Sequence, residues 1–407
     1  MSELSYLEKL LDGVEVEWVT LGSMADIGTG SSNRQDESEN GIYPFYVRSK
    51  NILKSDTFEF DEVAIVIPGE GGIGDIFHYV EGKYALHQRA YRIRITTNAV
   101  DTKFLYYFMS SSFKQYILTK SVGATAISIR KPMLEGFKVP IPSPDNPEKS
   151  LAIQSEIVRI LDKFTELTAE LTAELSMRKK QYNYYRDQLL SFDEEQEKPI
   201  YLEKLLDGVE VEWKTLGKVL KRTKGTKITA GQMKALHKDN APLKIFAGGK
   251  TVAFVDFKDI PEKDINREPS IIVKSRGIIE FEYYDKPFSH KNEMWSYHSN
   301  NDAISIKYIY YFLKINEGYF QKIGGKMQMP QIATPDTDKF EVPIPCPDNP
   351  EKSLAIQSEI VRILDKFDTL TNSITEGLPR EIELRQKQYE YYRDLLFSFP
   401  KPETVSN

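Results

Sequence analysis

The side chains of this 407-residue chain that could do chemistry are amides and cations, and they stand at two places with matching surroundings. Gln88 follows the segment FHYVEGKYALH, and Asn292 follows FEYYDKPFSHK. An amide can pair through two hydrogen bonds with the edge of adenine, although amides also stabilise turns. Nearby cations could contact phosphate groups. The neighbouring candidates for such contacts are Lys83, His87, Arg89, Lys274, Arg276, His290 and Lys291.

Two further arginines lie close to the first of these places, in the strand-like segment AYRIRI (90–95). Alternate side chains of a strand point to opposite faces, so Arg92 and Arg94 share one face while apolar residues occupy the other. The arginine face could contact phosphates, or it could be a plain solvent-facing edge of a sheet.

Positive charge is concentrated in two regions, although the whole chain has a net charge of −6. Residues 83–138 carry ten basic and two acidic side chains, and residues 214–227 carry six basic and no acidic ones. The second region adds Lys221, Arg222 and Lys224 to the candidates. Two such patches indicate binding to the phosphate backbone of a nucleic acid, and ordinary solvated lysine is the alternative interpretation.

A catalytic or cofactor-binding set is not recognisable in the sequence. Residues 69–74, GEGGIG, fit the pattern GxGxxG, but a dinucleotide site needs a helix next, and DIFHYVEGKYAL has turn and strand character. The five histidines lack metal-ligand spacing, and no apolar run approaches the roughly 20 residues of a membrane span. Cys346 is the single cysteine, which excludes an internal disulfide and fits a reducing compartment. We therefore expect a non-catalytic, cytoplasmic protein without a bound cofactor or metal.

The elements that must position these residues are repeated along the chain. Three segments occur twice: YLEKLLDGVEVEWVTLG at 6–22 and 201–217, VPIPSPDNPEKSLAIQSEIVRILDKF at 139–164 and 342–367, and RKKQYNYYRDQLLSF at 178–192 and 385–399. The copies are identical at 16 of 17, 25 of 26 and 11 of 15 positions. The chain is therefore two half-molecules in tandem.

The segments between the repeats diverge but keep a shared pattern. KFLYYF (103–108) corresponds to KYIYYF (307–312) at the same offset as the amide-bearing segments. We interpret the interiors, roughly 18–141 and 214–341, as one mixed α/β fold with two different surfaces. Near-identical flanks suit two copies of one partner, whereas divergent interiors suit two different ligands. Candidates for partner contact, with the helix core as the alternative for the tyrosines, are Trp18, Trp213, Tyr185, Arg186, Tyr392 and Arg393.

A long helix is predicted in each half. From Ser150 to Phe192 apolar residues recur with the 3.5-residue period of a coiled-coil seam, and Asp145 or Asn146 can cap its start. The second half repeats the pattern but is interrupted near Gly377-Leu-Pro379, because proline removes a backbone hydrogen bond. Pairing the two helices with each other would cover both seams. Strands are predicted at 63–68, 90–95 and 270–274, and shorter helices at 101–118 and 305–322.

These segments resemble the specificity subunit of type I restriction–modification enzymes, in particular the IC subfamily. The resemblance is carried by YLEKLLDGVEVEW, PIPxPDNPEKSLAIQSEIVRILDKF, the TAELTAEL run at 168–175 and QYxYYRD, and the layout matches over the whole length. It implies that the interiors are target-recognition domains that read a bipartite, asymmetric DNA site, with a spacer whose length is associated with the number of TAEL units. It also implies two methyltransferase subunits and two motor-nuclease subunits as partners. S-adenosylmethionine, ATP and magnesium are then expected on those partners.

We therefore expect an α+β fold, in which two related mixed α/β target-recognition domains are joined by two long helices that pair as an antiparallel coiled coil in a pseudo-twofold tandem repeat. The expected boundaries are a first domain at 1–149, a first helix at 150–192, a linker at 193–200, a second domain at 201–352, a second helix at 353–399 and a tail at 400–407.

Two other functions remain open from the residues alone. A non-catalytic coiled-coil scaffold would bind proteins and no specific DNA sequence. A stand-alone two-headed DNA-binding regulator would bind specific DNA tightly as the isolated chain.

Overall fold

The computed structural model describes residues 6–72, 74–120, 128–192, 200–206, 208–325 and 328–400. The acidic linker predicted at 193–200 lies outside the described residues except for Ile200, and so does the tail beyond Pro400. The chain forms two compact units, Met1–Ala173 with Arg380–Asn407, and Glu174–Pro379. Each unit contains one α/β domain together with segments of both long helical regions.

The first unit contains a six-stranded mixed sheet and a two-stranded sheet. Its strands are β1 (Val16–Thr20), β2 (Ala25–Thr29), β3 (Tyr43–Tyr46), β4 (Ile52–Ser55), β5 (Phe60–Pro68), β6 (His78–Leu86), β7 (Ala90–Ile95) and β8 (Lys138–Pro142). The strand order is β2-β7-β5-β6-β3-β4, and β1 pairs with β8. Its helices are α1 (Tyr6–Leu11), α2 (Thr102–Lys120), α3 (Lys131–Glu135) and the first part of α4 (Pro147–Leu189).

The second unit repeats this topology with one strand divided. Its strands are β9 (Val211–Thr215), β10 (Lys221–Lys224), β11 (Leu243–Phe246), β12 (Val252–Val255), β13 (Ser270–Lys274), β14 (Glu280–Tyr284), β15 (Phe288–His290), β16 (Trp295–His298) and β17 (Glu341–Pro345). The β11–β12 hairpin pairs in parallel with β15, as the β3–β4 hairpin pairs with β6. The strands β14 and β15 together take the place of β6, because Pro287 lies between them and cannot donate to a ladder. The interpretation of one fold in both interiors is confirmed.

The helices of the second half complete the description. They are α5 (Ile200–Leu205), α6 (Leu216–Val219), α7 (Ala230–Leu236), α8 (Ile306–Ile315), α9 (Glu317–Gly324), α10 (Thr334–Asp338), α11 (Pro350–Asn372) and α12 (Gly377–Leu396). From Arg380 onward, α12 belongs to the first unit.

The three predicted strands and the helix predicted at 101–118 are confirmed, whereas the helix predicted at 305–322 is two helices. The break lies at Asn316, whose side-chain amide donates to the carbonyl oxygen of Phe312 at 2.8 Å. This bond satisfies a carbonyl at the end of α8, so the chain can start α9 in a new direction. The glycine-rich segment 69–74 leads into β6 and not into a helix, as predicted.

The long helices begin and end close to the predicted positions. Asn146 caps α4 by accepting a hydrogen bond from the backbone N–H of Lys149 at 3.0 Å. The predicted interruption is confirmed, because α11 ends at Asn372 and α12 begins at Gly377. Gly377 has a φ of 79°, and a Cβ there would collide with the carbonyl oxygen of Thr369. Only glycine fits this junction without strain.

The most deeply buried face of α4 shares Ile153 and Ile157 with the predicted seam but continues through Leu161 instead of Ile160. Ile153, Ile157 and Leu161 are buried in the hydrophobic core of the first unit. The predicted positions Ile160 and Phe164 are only half-buried. The helix therefore covers its domain with one face and presents a neighbouring stripe to the other long helical region.

Aromatic stacking joins the long helical regions within each unit. In the first unit Phe164 stacks on Tyr392, with ring centroids 5.3 Å apart. In the second unit Phe367 stacks on Tyr182 at 6.1 Å and on Tyr185 at 5.7 Å. Further along α4, Leu189 lies with Arg362 in one groove, so the partner position moves backward along α11. The two segments are antiparallel, as predicted.

A polar clamp fixes each domain to its long helix, and it occurs in both units. Gln154 is fully buried, accepts from the backbone N–H of Asp101 at 2.8 Å and donates to the carbonyl oxygen of Ala99 at 2.9 Å. Gln357 makes the same pair of bonds, to Ser305 at 2.9 Å and Ala303 at 3.0 Å.

The clamp includes an ion pair about two turns further along the helix. Asp162 accepts from Lys103 and from the hydroxyl of Tyr107, both at 2.7 Å. Asp365 accepts from Lys307 at 2.7 Å and from the hydroxyl of Tyr311 at 2.5 Å. The two divergent domains are thus attached to their long helices by the same set of contacts.

Candidate nucleic-acid and partner interfaces

Gln88 lies in the turn that joins β6 to β7. The backbone N–H groups of His87 and Gln88 donate to Tyr46 and Ser32, both at 2.9 Å, so the turn is fixed on the β3 side of the sheet. The amide nitrogen of Gln88 is exposed and donates to Oδ1 of Asn33 at 2.5 Å. The amide predicted from the sequence is therefore held on a rigid frame at the surface.

Two arginines converge on one carboxylate beside this turn. The Nη1 atoms of Arg89 and Arg48 each lie 3.1 Å from Oε2 of Glu70, and the three side chains are about half exposed. Arg89 foremost, and then Arg48, hold the pKa of Glu70 below its ordinary value. Glu70 and Arg48, together with Arg34 and His87, line a cleft of about 480 Å³.

Asn292 lies in the equivalent turn of the second domain, between β15 and β16, and its side chain is exposed. The backbone N–H of Lys291 donates to Phe246 at 2.9 Å, as that of His87 donates to Tyr46. Nζ of Lys291 lies 2.6 Å from Glu293. Burial acts to raise the pKa of Glu293, but Lys291 and Arg276 outweigh it and the pKa is lowered.

Four predicted contact residues prove to be bound within their own domains. Arg92 is 14% exposed and lies 2.7 Å from Asp26 and 3.2 Å from Glu62. Lys274 is 8% exposed and lies 2.6 Å from Glu280. Buried arginine and lysine are stable only when paired, so these two cations are already neutralised.

The two histidines of the turns are also interior groups. His290 is fully buried, and burial lowers its pKa to about 4. His87 is buried, and its Nδ1 accepts from the backbone N–H of Arg89 at 3.0 Å. Direct contact with a nucleic acid does not fit His290, because its neutral imidazole is fully buried. His87 frames the turn and lines the cleft beside Arg48 and Glu70.

The remaining predicted cations lie at the surface. Nζ of Lys83 stands over the ring of Phe58 at 4.6 Å, and Nε of Arg94 lies 3.5 Å from Glu62. Arg222 is 3.3 Å from Asp338, and Lys221 and Lys224 are exposed along β10. Arg276 is exposed, and its guanidinium donates to Oε1 of Gln331.

A cleft of about 870 Å³ in the second domain gathers polar residues that sequence reasoning missed. It is lined by Arg222, Lys224 and Asn292, which were predicted, and by Lys227, Lys263 and Gln232, which were not among the candidates. The new members come from the segments between β10 and β11 and between β12 and β13, which are longer than their counterparts in the first domain. The greater length of these two segments is the sequence feature that could have pointed to the additional cleft residues.

The predicted partner residues lie on the repeated segments. Trp18 packs on Phe108, and its indole N–H donates to the carbonyl oxygen of Pro400 at 2.8 Å, which gives it a structural role. Trp213 packs on Phe312 and remains 46% exposed. Arg186 and Arg393 each bond to the aspartate that follows them, at 2.7 Å.

Tyr185 lines a groove of about 370 Å³ on the second unit. Its walls are Tyr185, Gln188, Leu189, Tyr201, Arg362, Ile363 and Phe367. Tyr201 donates to Glu359, and Arg362, then Tyr201, lower the pKa of that carboxyl to about 2. In the first unit Tyr6 donates to Glu156 at 3.1 Å, and Tyr392 stands in the place of Tyr185. The repeat equivalents differ from the groove residues only at Gln188, where the other copy has Leu395.

The described residues contain no group of three histidine, cysteine or acidic side chains placed to hold a metal ion. In the same part of the chain, no helix combines the length and the apolar character needed to cross a membrane.

Comparison with known proteins gives consistent results. The family model described as "Type I restriction modification DNA specificity domain" matches residues 13–177 and 209–384. The chain is 39% identical to the "Type I restriction enzyme EcoR124I/EcoR124II specificity subunit" of Escherichia coli over 100% of both chains. It is 34% identical to the Escherichia coli "Type I restriction enzyme EcoprrI specificity subunit" over 92% of this chain and 93% of that one.

A solved structure shares the fold at low sequence identity. The type I restriction–modification S subunit from M. genitalium superposes with a TM-score of 0.63 at 18% identity, covering 96% of this chain and 98% of that chain.

Proposed function

Because this chain belongs to the type I restriction–modification DNA specificity family, we propose that it is the recognition and scaffold subunit of a type I restriction–modification complex. Each α/β domain reads one half of a bipartite, asymmetric DNA target. The chain supplies recognition, whereas methylation and cleavage take place on partner subunits.

The observation that carries this proposal is that both domains are attached to their long helices by the same contacts but have different side chains in the turns that follow β6 and β15. Both domains have the same strand topology and are fixed by the same glutamine and aspartate clamp. The turns that hold Gln88 and Asn292 have the same backbone frame but different side chains. A protein that presents two different surfaces on one repeated scaffold is suited to read two different sequences.

The groove of the second unit and the equivalent residues of the first unit support docking of two methyltransferase subunits. Tyr185 and Tyr392 stack on equivalent phenylalanines, and Tyr201 and Tyr6 reach equivalent glutamates. Exposed aromatic rings beside an arginine are typical centres of protein interfaces. Two motor-nuclease subunits join the assembly, and S-adenosylmethionine, ATP and magnesium bind to the partners.

The test is to co-express the chain with the methyltransferase subunit of its own operon and map the methylated adenines by single-molecule sequencing. We expect one bipartite, asymmetric motif, and a reconstituted complex whose mass corresponds to two methyltransferase subunits per chain. Specific DNA binding by the isolated chain would favour a regulator, and absence of any motif in an intact complex would favour a scaffold. A complex that saturates at one methyltransferase subunit would contradict the equal grooves.

A further inference from the structure

One position at the edge of each domain carries a pair of opposite charges, and the order of the signs is exchanged between the domains. Glu70 lies two residues beyond the end of β5, and Arg276 lies two residues beyond the end of β13. Arg89 and Glu293 each lie three residues beyond the end of the strand before their turn, β6 and β15. The first domain thus has Glu and Arg where the second has Arg and Glu.

Backbone contacts show that these positions are equivalent in space as well as in sequence. The N–H of Gly69 donates to the carbonyl oxygen of Arg89 at 2.9 Å. In the second domain the hydroxyl of Ser275 donates to the carbonyl oxygen of Glu293 at 2.6 Å. The segment after the central strand is therefore tied to the turn in both domains. In the first domain it brings Glu70 and Arg89 into contact, whereas in the second domain Arg276 donates to Gln331 and Glu293 pairs with Lys291.

The pair contributes little to stability, so folding alone does not explain it. The side chains of Glu70 and Arg89 are 45% and 55% exposed, and water screens an ion pair that is this exposed. The residues lie next to the exposed amides of Gln88 and Asn292. In the first domain Arg48 joins the same carboxylate.

We propose that Glu70 with Arg89, and Arg276 with Glu293, are specificity-determining residues that read base edges in the two half-sites. The inference rests on the proposed function. Arginine is suited to the O6 and N7 acceptors of guanine, and glutamate to the N4 donor of cytosine. In the first domain Glu70 and Arg89 hold each other in place before DNA binds, and in the second domain Gln331 holds Arg276 and Lys291 holds Glu293. The exchange of signs makes the two domains prefer different bases.

The test is the double substitution E70R/R89E, which gives the first domain the charge order of the second. The exchange keeps an opposite-charge pair at positions 70 and 89 and leaves the net charge unchanged. In the methyltransferase complex we expect methylation at the original half-site to fall roughly tenfold or more, and the preference at one or two base pairs of that half to change. The other half-site and the spacer stay the same.

The matched control is D75K/K114D, which exchanges an exposed pair of the same domain, 2.8 Å apart, that lies on α2 and the loop facing it. We expect the control to keep both half-sites. If E70R/R89E lowers the melting temperature more than the control does, the single variant R89A decides, because it only shortens an exposed side chain.

The outcomes are separable from those of the function test. A wild-type complex without a bipartite motif contradicts the proposed function. A wild-type complex with the motif, whose E70R/R89E and R89A variants methylate the same motif at the same rate, overturns this inference alone and leaves the pair as a surface contact between two loops.

Discussion

At the scale of single residues, the buried glutamines decide whether a domain stays on its long helix. Gln357 satisfies one backbone N–H and one carbonyl at the start of α8, and Gln154 does the same before α2. Both side chains are fully buried, so no water is available to replace them. An unpaired buried polar group costs about 1–3 kcal/mol.

We therefore expect Gln357→Ala to lower the free energy of unfolding by about 2 kcal/mol, since it leaves two backbone groups unpaired. Urea unfolding of the purified chain measures the loss. The control is Ser358→Ala, at an exposed position on the same helix, which should change stability by less than about 0.5 kcal/mol. Equal stability of Q357A and the wild type would show that the clamp is not a stabilising contact.

His290 makes the stability of the second domain depend on pH. Its imidazole lies 3.1 Å from the hydroxyl of Ser296, and burial lowers its pKa to about 4 from an ordinary 6.5, although Asp264 and Glu293 are nearby. The unfolded chain therefore binds a proton between pH 6.5 and 4 that the folded chain does not bind. Stability is fully present above pH 6.5 and falls as the pH is lowered through this window.

The expected loss from this residue is up to about 3 kcal/mol at pH 4. Melting temperatures of the wild type and of His290→Asn, recorded between pH 7.5 and 5, should converge at the acidic end, because asparagine has no proton to take up. Parallel curves would mean that His290 does not titrate in this range.

The sequence predicts which side chains lie at the surface more reliably than it predicts their ion-pair partners. Gln88 and Asn292, which were proposed to contact bases because they are amides at matching positions, are exposed. Arg92 was expected on a solvent-facing stripe, but Asp26 and Glu62 on the neighbouring strands neutralise it. Alternation along one strand gives the face of a side chain, whereas its partner depends on strand order, which single-strand patterns do not contain.

At the scale of elements, the sequence predicted the long helices and the central strands because their apolar patterns are long and regular. It did not place the β3–β4 and β11–β12 hairpins, whose strands have only four residues each. It also missed Leu161, since that residue faces the domain core and not the second helix. A 3.5-residue period identifies one apolar stripe on a helix, whereas α4 packs both on its own domain and on the other long helical region.

The TAEL units at 168–175 allow a prediction about the length of α4. The hydroxyls of Thr168 and Thr172 donate to the carbonyl oxygens four residues earlier, at 2.8 and 2.7 Å, so each unit closes one helical turn. A third unit after Leu175 would lengthen the helix by about 6 Å and turn it by about 400°, which is almost in phase.

We expect this insertion to keep both half-site sequences and to widen the spacer by one or two base pairs, at about 3.4 Å per base pair. Methylome mapping measures the spacer. Inserting only Thr-Ala should abolish methylation, because two residues turn the following segment by about 200° and move its apolar stripe away from its partner. An active TAEL insertion with the original spacer would refute the role of this helix as a ruler.

At the scale of the whole molecule, we expect each domain to be exchangeable, because both are attached to their long helices by the same contacts. Replacing residues 218–338 by the equivalent segment of a relative should change one half of the target and leave the other, because the clamp residues Gln357 and Asp365 and most of the repeated flanks lie outside the exchanged segment. Methylome mapping of the hybrid checks this. A change in both half-sites, or in neither, would contradict two independent readers.

The position of the residues that follow the last helix has a consequence for where the polypeptide could be opened and rejoined. Phe397 and Phe399 pack on Phe104, and Pro400 accepts from Trp18, so both ends of the chain belong to the first unit. Phe192 packs on Tyr308 in the second unit in the corresponding way. A circular permutant that joins residue 400 to residue 6 and opens between 193 and 199 would therefore keep every contact described within either unit.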